Sequence, residues 1–203
     1  AGRAATVLPT TVAPPDAVPR PPHEGSPVRL GFIGSRATLP YLESVGEALQ
    51  ALAKTGQQFR VRVIADVAPR LATEVDVEFV PWTLDSWRRD LEETDIGLAP
   101  LPDDAWTRGK CGLRLLQTMA AGRAVVASPV GVQAEQVREG VTGLLARDTE
   151  EWAAALSQLI GNRERCVAMG AAGHADARST WSVAAWGAAV VEEVERLLAR
   201  VRT

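Results

Sequence analysis

From residue 28 onward, short β-rich runs alternate with amphipathic helical runs, and that alternation leaves few folds open to the chain. Runs suited to strands cover 28–34, 59–65, 77–80, 95–99 and 124–128; helical spacing covers 39–54, 84–93, 112–121 and 132–139. Strands and helices joined by short links predict an α/β fold, a parallel sheet with helices on both faces. Past 143–146 the pattern turns wholly helical, over 150–160, 163–177 and 183–201. These are extra carboxy-terminal helices. The last carries one apolar stripe, Trp186, Val190, Val194, Leu197 and Val201, and Ser182 is placed to cap it.

In an open parallel sheet, ligands bind outside the carboxyl ends of the strands. The segment from Thr94 to Ala146 supplies the parts: a strand at Asp95-Ile96-Gly97-Leu98, a loop, a helix start and a second strand-to-glycine turn at Ser128-Pro129-Val130-Gly131. Arg108 and Lys110 flank Gly109 just before a helix whose apolar face is Leu113, Leu116, Met119 and Ala120. Isolated cations usually do no more than solvate a loop. Here they stand beside unpaired helix-terminal N–H groups, a combination that suits a diphosphate. The first glycine turn, Gly34-Ser35-Arg36, permits close backbone approach to a ligand, although such glycines also serve geometry alone. Neither a full G-x-G-x-x-G nor a G-x-x-x-x-G-K-[ST] is present, which counts against a conventional dinucleotide dehydrogenase or a P-loop enzyme.

Composition removes several classes. The 203 residues suffice for one ordinary domain, and a net charge of −3 without a basic stripe excludes a nucleic-acid surface. No apolar run approaches the roughly 18 residues of a membrane span. Cys111 and Cys166 are far apart and lack CxxC or histidine company, so the expectation is no disulfide, no zinc and a reducing, cytoplasmic setting. Cys111 is read as a packing residue despite its cationic neighbours, and His23 and His174 each stand alone. Trp87 and Trp152 fall at helical core positions. Residues 1–27 contain Pro9, Pro14, Pro15, Pro19, Pro21, Pro22 and Pro27 and read as a linker rather than a packed element. The chain starts at Ala1 without signal-peptide features and is expected to be a fragment.

The run Gly112-Leu113-Arg114-Leu115-Leu116-Gln117-Thr118-Met119-Ala120-Ala121-Gly122-Arg123-Ala124-Val125-Val126-Ala127-Ser128-Pro129-Val130-Gly131, followed by Glu135-Gln136-Val137 and Glu139-Gly140-Val141-Thr142-Gly143, resembles the donor-binding half of GT-B glycosyltransferases of the glycogen-synthase-like, family four type. The resemblance covers about 28–190. It implies a Rossmann-like carboxy-terminal domain, 28–203, that grips a UDP- or GDP-linked sugar in a cleft against an amino-terminal acceptor domain. Residues 1–27 would then be the end of that missing domain plus its hinge. Alone, the chain is expected to be inactive. The full enzyme would transfer a hexose with retention to a sugar or lipid-linked acceptor, and only that enzyme would touch a membrane peripherally.

Departures from the family pattern are specific. Two glutamates are usual where this chain has Gly109 and Gln117. Gln117 still offers an amide to the ribose; Gly109 offers the hexose nothing, and Asp103 or Asp104 is the substitute expected from the preceding loop. Arg36 alone lies near the first turn, where the family often has an arginine and a lysine. Diphosphate binding thus falls to Lys110, Arg108 and the amides of Cys111, Gly112 and Leu113, with no metal expected. Trp82 stands at the family's nucleobase pocket, as a stacking platform or equally as an apolar lid, and Trp106 would wall the sugar. Two other readings stay open: a GT-B nucleotide-sugar epimerase, and a non-catalytic binding module that kept the fold. A flavodoxin-like fold is disfavoured, because clustered acids near the first strand are missing.

Overall fold

A computed structural model of the chain describes residues 6–16, 19, 25, 27–71 and 74–201. Pro21, Pro22, His23 and the side chain of Val201 lie outside the described residues. Six strands, β1 (Val28–Ile33), β2 (Phe59–Ala65), β3 (Val77–Pro81), β4 (Ile96–Ala99), β5 (Ala124–Ala127) and β6 (Gly143–Leu145), form one sheet of order β3-β2-β1-β4-β5-β6. Every pairing is parallel. The chain lays β2 and β3 to one side of β1, then returns and lays β4, β5 and β6 to the other. The order therefore reverses between β1 and β4, and a crevice opens at their carboxyl ends.

The helices are α1 (Leu39–Glu43), α2 (Gly46–Ala53), α3 (Trp87–Glu92), α4 (Leu113–Ala120), α5 (Gln133–Gln136), α6 (Thr149–Ile160), α7 (Arg163–Ser179) and α8 (Val183–Val201). Consecutive strand residues enter opposite faces, as the pleat requires. Phe32 and Val63 join the large core with Leu42, Leu49 and Trp152, while Ile33 and Ile64 meet Leu91 of α3 and Ala121. Trp87 packs half-buried beside that second group.

Three local readings change. The single helix expected over 39–54 is two helices. The Ser44 hydroxyl donates back to the Tyr41 carbonyl at 2.7 Å, and Val45-Gly46 are poor helix formers, so the first helix stops there. The helix expected over 132–139 shrinks to α5, because Val137 is extended and the Arg138 amide donates to Thr142 Oγ1 at 2.9 Å. The amino-terminal segment is not wholly loose either. Val12 is buried against Leu115, Leu116 and Met119, and its amide donates to the Trp181 carbonyl at 2.9 Å.

Ser182 caps α8 as expected, accepting from the Ala185 amide at 3.1 Å. The apolar stripe of α8 is nevertheless largely uncovered: Val190, Val194 and Leu197 are 40–49% exposed, whereas Trp181 and Trp186 are half-buried. None of the described helices is long and apolar enough to cross a membrane.

Two contacts fix α4 over the seam. Gly97 of β4 has no side chain, so Thr118 of α4 presses directly onto the strand; a Cβ there would lie 2.1 Å from Thr118 Cγ2. At the far end of α4, fully buried Arg123 donates to the Ala121 carbonyl at 3.0 Å and to the Thr94 carbonyl at 3.2 Å. That cation sits at the negative end of the helix dipole, where it is favourable.

Candidate functional site

The crevice between β1 and β4 is walled by the turn after β1 and by the loop from Pro100 to the start of α4. Gly112 precedes α4 in the left-handed region, φ 69°, a conformation cheap only for glycine. Its missing Cβ also leaves room for Gln136, whose Nε2 donates to the Cys111 carbonyl at 3.2 Å. In the preceding loop, the Asp104 carboxylate accepts from the amides of Trp106 and Thr107, both at 2.8 Å, and so builds the 3₁₀ turn Thr107–Gly109. Gly131 after β5 packs against the Arg108 carbonyl, where a Cβ would approach to 2.6 Å. Glycines thus bring both loops together.

α4 begins with free donors. The amides of Gly112, Arg114 and Leu115 find no acceptor among the described residues, and no acidic residue occupies the first turn. The amide of Leu113 meets the Cys111 thiol, which is exposed. Partial burial alone would raise that thiol's pKa. The Thr10 hydroxyl, the backbone amides of Leu113 and Cys111 and the Lys110 charge outweigh it and hold the thiol below the ordinary range. The packing role expected for Cys111 thus gives way to an exposed, electropositive setting.

The Lys110 ammonium lies over two aromatic faces, 5.5 Å from the Tyr41 ring and 5.2 Å from the Trp106 ring. The Arg114 guanidinium lies 5.7 Å from the same Tyr41 ring and 5.5 Å from that of Phe32. Gly34 completes the chain of contacts, since a Cβ on it would sit 2.5 Å from Phe32 Cε1. Gly34, Lys110 and Gly112 therefore belong to one continuous patch, which Trp106, 74% exposed, covers from outside. Phe32, Tyr41 and Arg114 belong to it too, although sequence reasoning had not singled them out. One signal was available: Arg114 interrupts the apolar run of Leu113, Leu115 and Leu116 at the start of the expected helix, where the helix dipole disfavours a cation.

Other expected residues are otherwise engaged. Three amides of the first turn are taken: Gly34 donates to the Ile64 carbonyl at 2.9 Å, Ser35 to Thr38 Oγ1 at 2.9 Å and Arg36 to the Asp66 carboxylate at 2.6 Å. Arg108 forms a two-pronged pair with Asp103, at 2.6 and 3.1 Å, and this guanidinium holds the Asp103 carboxyl below its usual range. Trp82 follows β3, two strands from β1; the residue is 41% exposed and its amide donates to the Ala65 carbonyl. Gln117 is half-buried in α4, and its side-chain amide makes no hydrogen bond with the described residues. Beside Leu101, Pro102 and Asp103 opens a cleft of about 520 Å³ that reaches Ser128, Arg147, Asp148 and Trp152 at the ends of β5 and β6.

Residues 27–162 match the family described as Glycosyl transferases group 1. A D-inositol 3-phosphate glycosyltransferase from Thermobispora bispora is 33% identical over 148 residues, covering 68% of this chain and 32% of that protein. The one from Nocardia farcinica is 42% identical over 80 residues, 37% of this chain and 18% of the relative. The chain thus spans a third or less of the length of these curated relatives. The C-terminal domain of a group 1 glycosyl transferase from Francisella tularensis has the same fold, with a TM-score of 0.62 at 18% identity over 80% of this chain and 89% of its own. Anabaena HepE, solved in complex with UDP and glucose, gives a TM-score of 0.67 at 18% identity over 83% of this chain and 48% of its own.

Proposed function

Because the chain belongs to the group 1 glycosyl transferases, we propose that it is the donor-binding half of a retaining glycosyltransferase, holding a nucleotide-diphosphate hexose for transfer to an acceptor that an amino-terminal domain presents. The observation that carries this reading is the start of α4: free amides and Lys110 facing the crevice where the strand order reverses, with no acid in the first turn. A diphosphate placed there accepts hydrogen bonds from fixed amides and meets the positive end of the helix dipole. The same groups stabilise the charge that gathers on the diphosphate as it leaves the sugar. Arg108 carries less of this load than the sequence suggested, since it is already paired with Asp103. Gln117 serves the ribose and Trp82 the base.

A second reading has one specific observation in its favour. Among the described residues, the loop before α4 offers the hexose no free carboxylate: residue 109 is glycine, Asp103 pairs with Arg108, and Asp104 caps the 3₁₀ turn. A module that binds a nucleotide sugar without transferring it would tolerate this. Calorimetric titration with UDP, GDP, ADP and their hexose conjugates tests both. Binding of one nucleotide family, weakened at least tenfold (about 1.4 kcal/mol) by Lys110→Ala, supports donor binding. A folded protein silent toward the whole panel refutes it, and binding with no transfer by the full-length enzyme favours the module.

A further inference from the structure

Arg114 is the charge in this molecule whose position is least explained by the fold. It lies in the first turn of α4, where a cation opposes the positive end of the helix dipole, and Lys110 stands just ahead of it. Neither has a carboxylate partner among the described residues. Arg114 Nη1 is buried without a hydrogen-bond acceptor, while its Nε and Nη2 make no hydrogen bond and are not buried. Burial also presses the guanidinium pKa downward. A guanidinium carries five N–H donors and cannot shed its charge at ordinary pH. Its neighbours are the faces of Phe32 and Tyr41, which hold it in one place without neutralising it. Two like charges therefore share the Tyr41 ring, beside free amides, at the mouth of the crevice. Among the described residues, only aromatic faces compensate the two charges in the empty protein.

Resting on the donor reading above, we propose that Arg114 and Lys110 act together as the clamp on the non-bridging oxygens of the donor's diphosphate, with Tyr41 as their shared platform. Three observations favour this pair over the other candidates. The amides of Gly34, Ser35 and Arg36 are already taken by Ile64, Thr38 and Asp66. Arg108 is already paired with the Asp103 carboxylate. Phe32, at the end of β1, and Tyr41, of α1, place the Arg114 head group across the seam from its own helix, where a phosphate lying between β1 and β4 meets both walls. The planar fork of arginine grips two oxygens at once and lysine supplies a point charge. Arg114 is thereby a binding residue of this site, and Tyr41 positions it.

The test uses the described chain, its fold checked by circular dichroism, with inorganic pyrophosphate, UDP, GDP and ADP as probes in calorimetry. The variants are Arg114→Met, which keeps the apolar stem and removes the charge, and Arg114→Lys. Arg114→Met is expected to weaken pyrophosphate and nucleoside diphosphate at least tenfold while melting at the same temperature as the parent or higher, because a cation without a carboxylate partner, placed against the helix dipole, has been removed while the apolar stem still packs on the rings. An arginine held only for packing would give the opposite: a lower melting temperature and unchanged affinity. If Arg114→Met does not fold, Arg114→Lys decides, an affinity loss of threefold or more supporting the clamp and an equal affinity overturning it. Nucleotide binding that ignores Arg114 overturns the clamp and leaves the donor reading standing. Pyrophosphate binding that depends on Arg114, with UDP, GDP and ADP all ignored, keeps a diphosphate clamp and overturns the donor reading. Binding of neither probe class overturns both.

Discussion

Substituting Gly112 by alanine should damage the site in two separable ways. Gly112 holds φ 69° and ψ 16°, and an L-residue pays about 1–2 kcal/mol to enter the left-handed region. The new Cβ would also lie 2.0 Å from Gln136 Oε1, 2.8 Å from its Cδ and 2.9 Å from its Nε2. Gln136 is 2% exposed, so it has no solvent to retreat into. Its displacement breaks the bond from Nε2 to the Cys111 carbonyl, a loss of about 0.5–1.5 kcal/mol. Oε1 itself has no partner to lose. Gly112→Ala is therefore expected to cost about 1.5–3.5 kcal/mol, the sum of the two effects. In a Gln136→Ala background only the backbone part remains, about 1–2 kcal/mol. The two substitutions should thus fall short of additivity by about 1 kcal/mol. Guanidinium unfolding of the parent, both single variants and the double variant, followed by circular dichroism, measures this. Additivity within about 0.5 kcal/mol would show that Gln136 is not the obstacle and that the strain is wholly Gly112's own.

Elsewhere, Gly170→Ala in α7 places a Cβ 2.2 Å from the Gly122 carbonyl oxygen and 3.3 Å from the Ala124 amide nitrogen, backbone that leads into β5 and cannot turn aside. Overpacking of about 1–3 kcal/mol or more should exceed the roughly 1 kcal/mol that alanine gains in helix propensity, so the melting temperature should fall; an unchanged or higher value sinks the argument. The two cysteines should differ sharply in chemistry. Iodoacetamide at pH 8 should label exposed Cys111 and spare Cys166, whose thiol is pushed up to about 12 chiefly by burial and further by Asp95, and peptide mapping that finds Cys166 labelled first would contradict this. In the unfolded chain Cys166 ionises near 9.0, so the stability it contributes is fully present below that pH and is lost as pH rises toward about 12. Cys166→Ala should therefore lose less stability than the parent over that window, and parallel curves would refute the assignment.

Much of the fold follows from local chemistry. Strand β2 and helix α8 fall where periodicity placed them, because apolar spacing and turn residues act within a few positions of themselves. The helix start after Lys110 was legible for the same reason, although helical spacing begins that helix at Gly112 and the structure makes Gly112 the left-handed residue before it. Where local bonds competed, periodicity misled. Ser44 ended a helix that the apolar spacing continued, and Thr142 drew Arg138 out of another.

The site was a different matter, because its electrostatics depend on which residues the sheet brings together. Arg36 and Asp66 are separated by 30 positions, yet pairing β1 with β2 hands the turn's amide to that carboxylate and takes the first glycine turn out of the set of free donors. Along the chain Arg114 is one charged residue inside a helix; the reversal between β1 and β4 is what sets it against Phe32 and Tyr41. Likewise the stripe on α8 announced an apolar face, while only packing decides whether a face is covered, and here it stays largely open. Hydrophobic period and turn chemistry are properties of neighbouring residues, so the sequence alone determined the elements and their order along the chain. Charge compensation and burial are properties of residues distant in sequence, so the tertiary structure alone decided which cations and amides remain free for an anion.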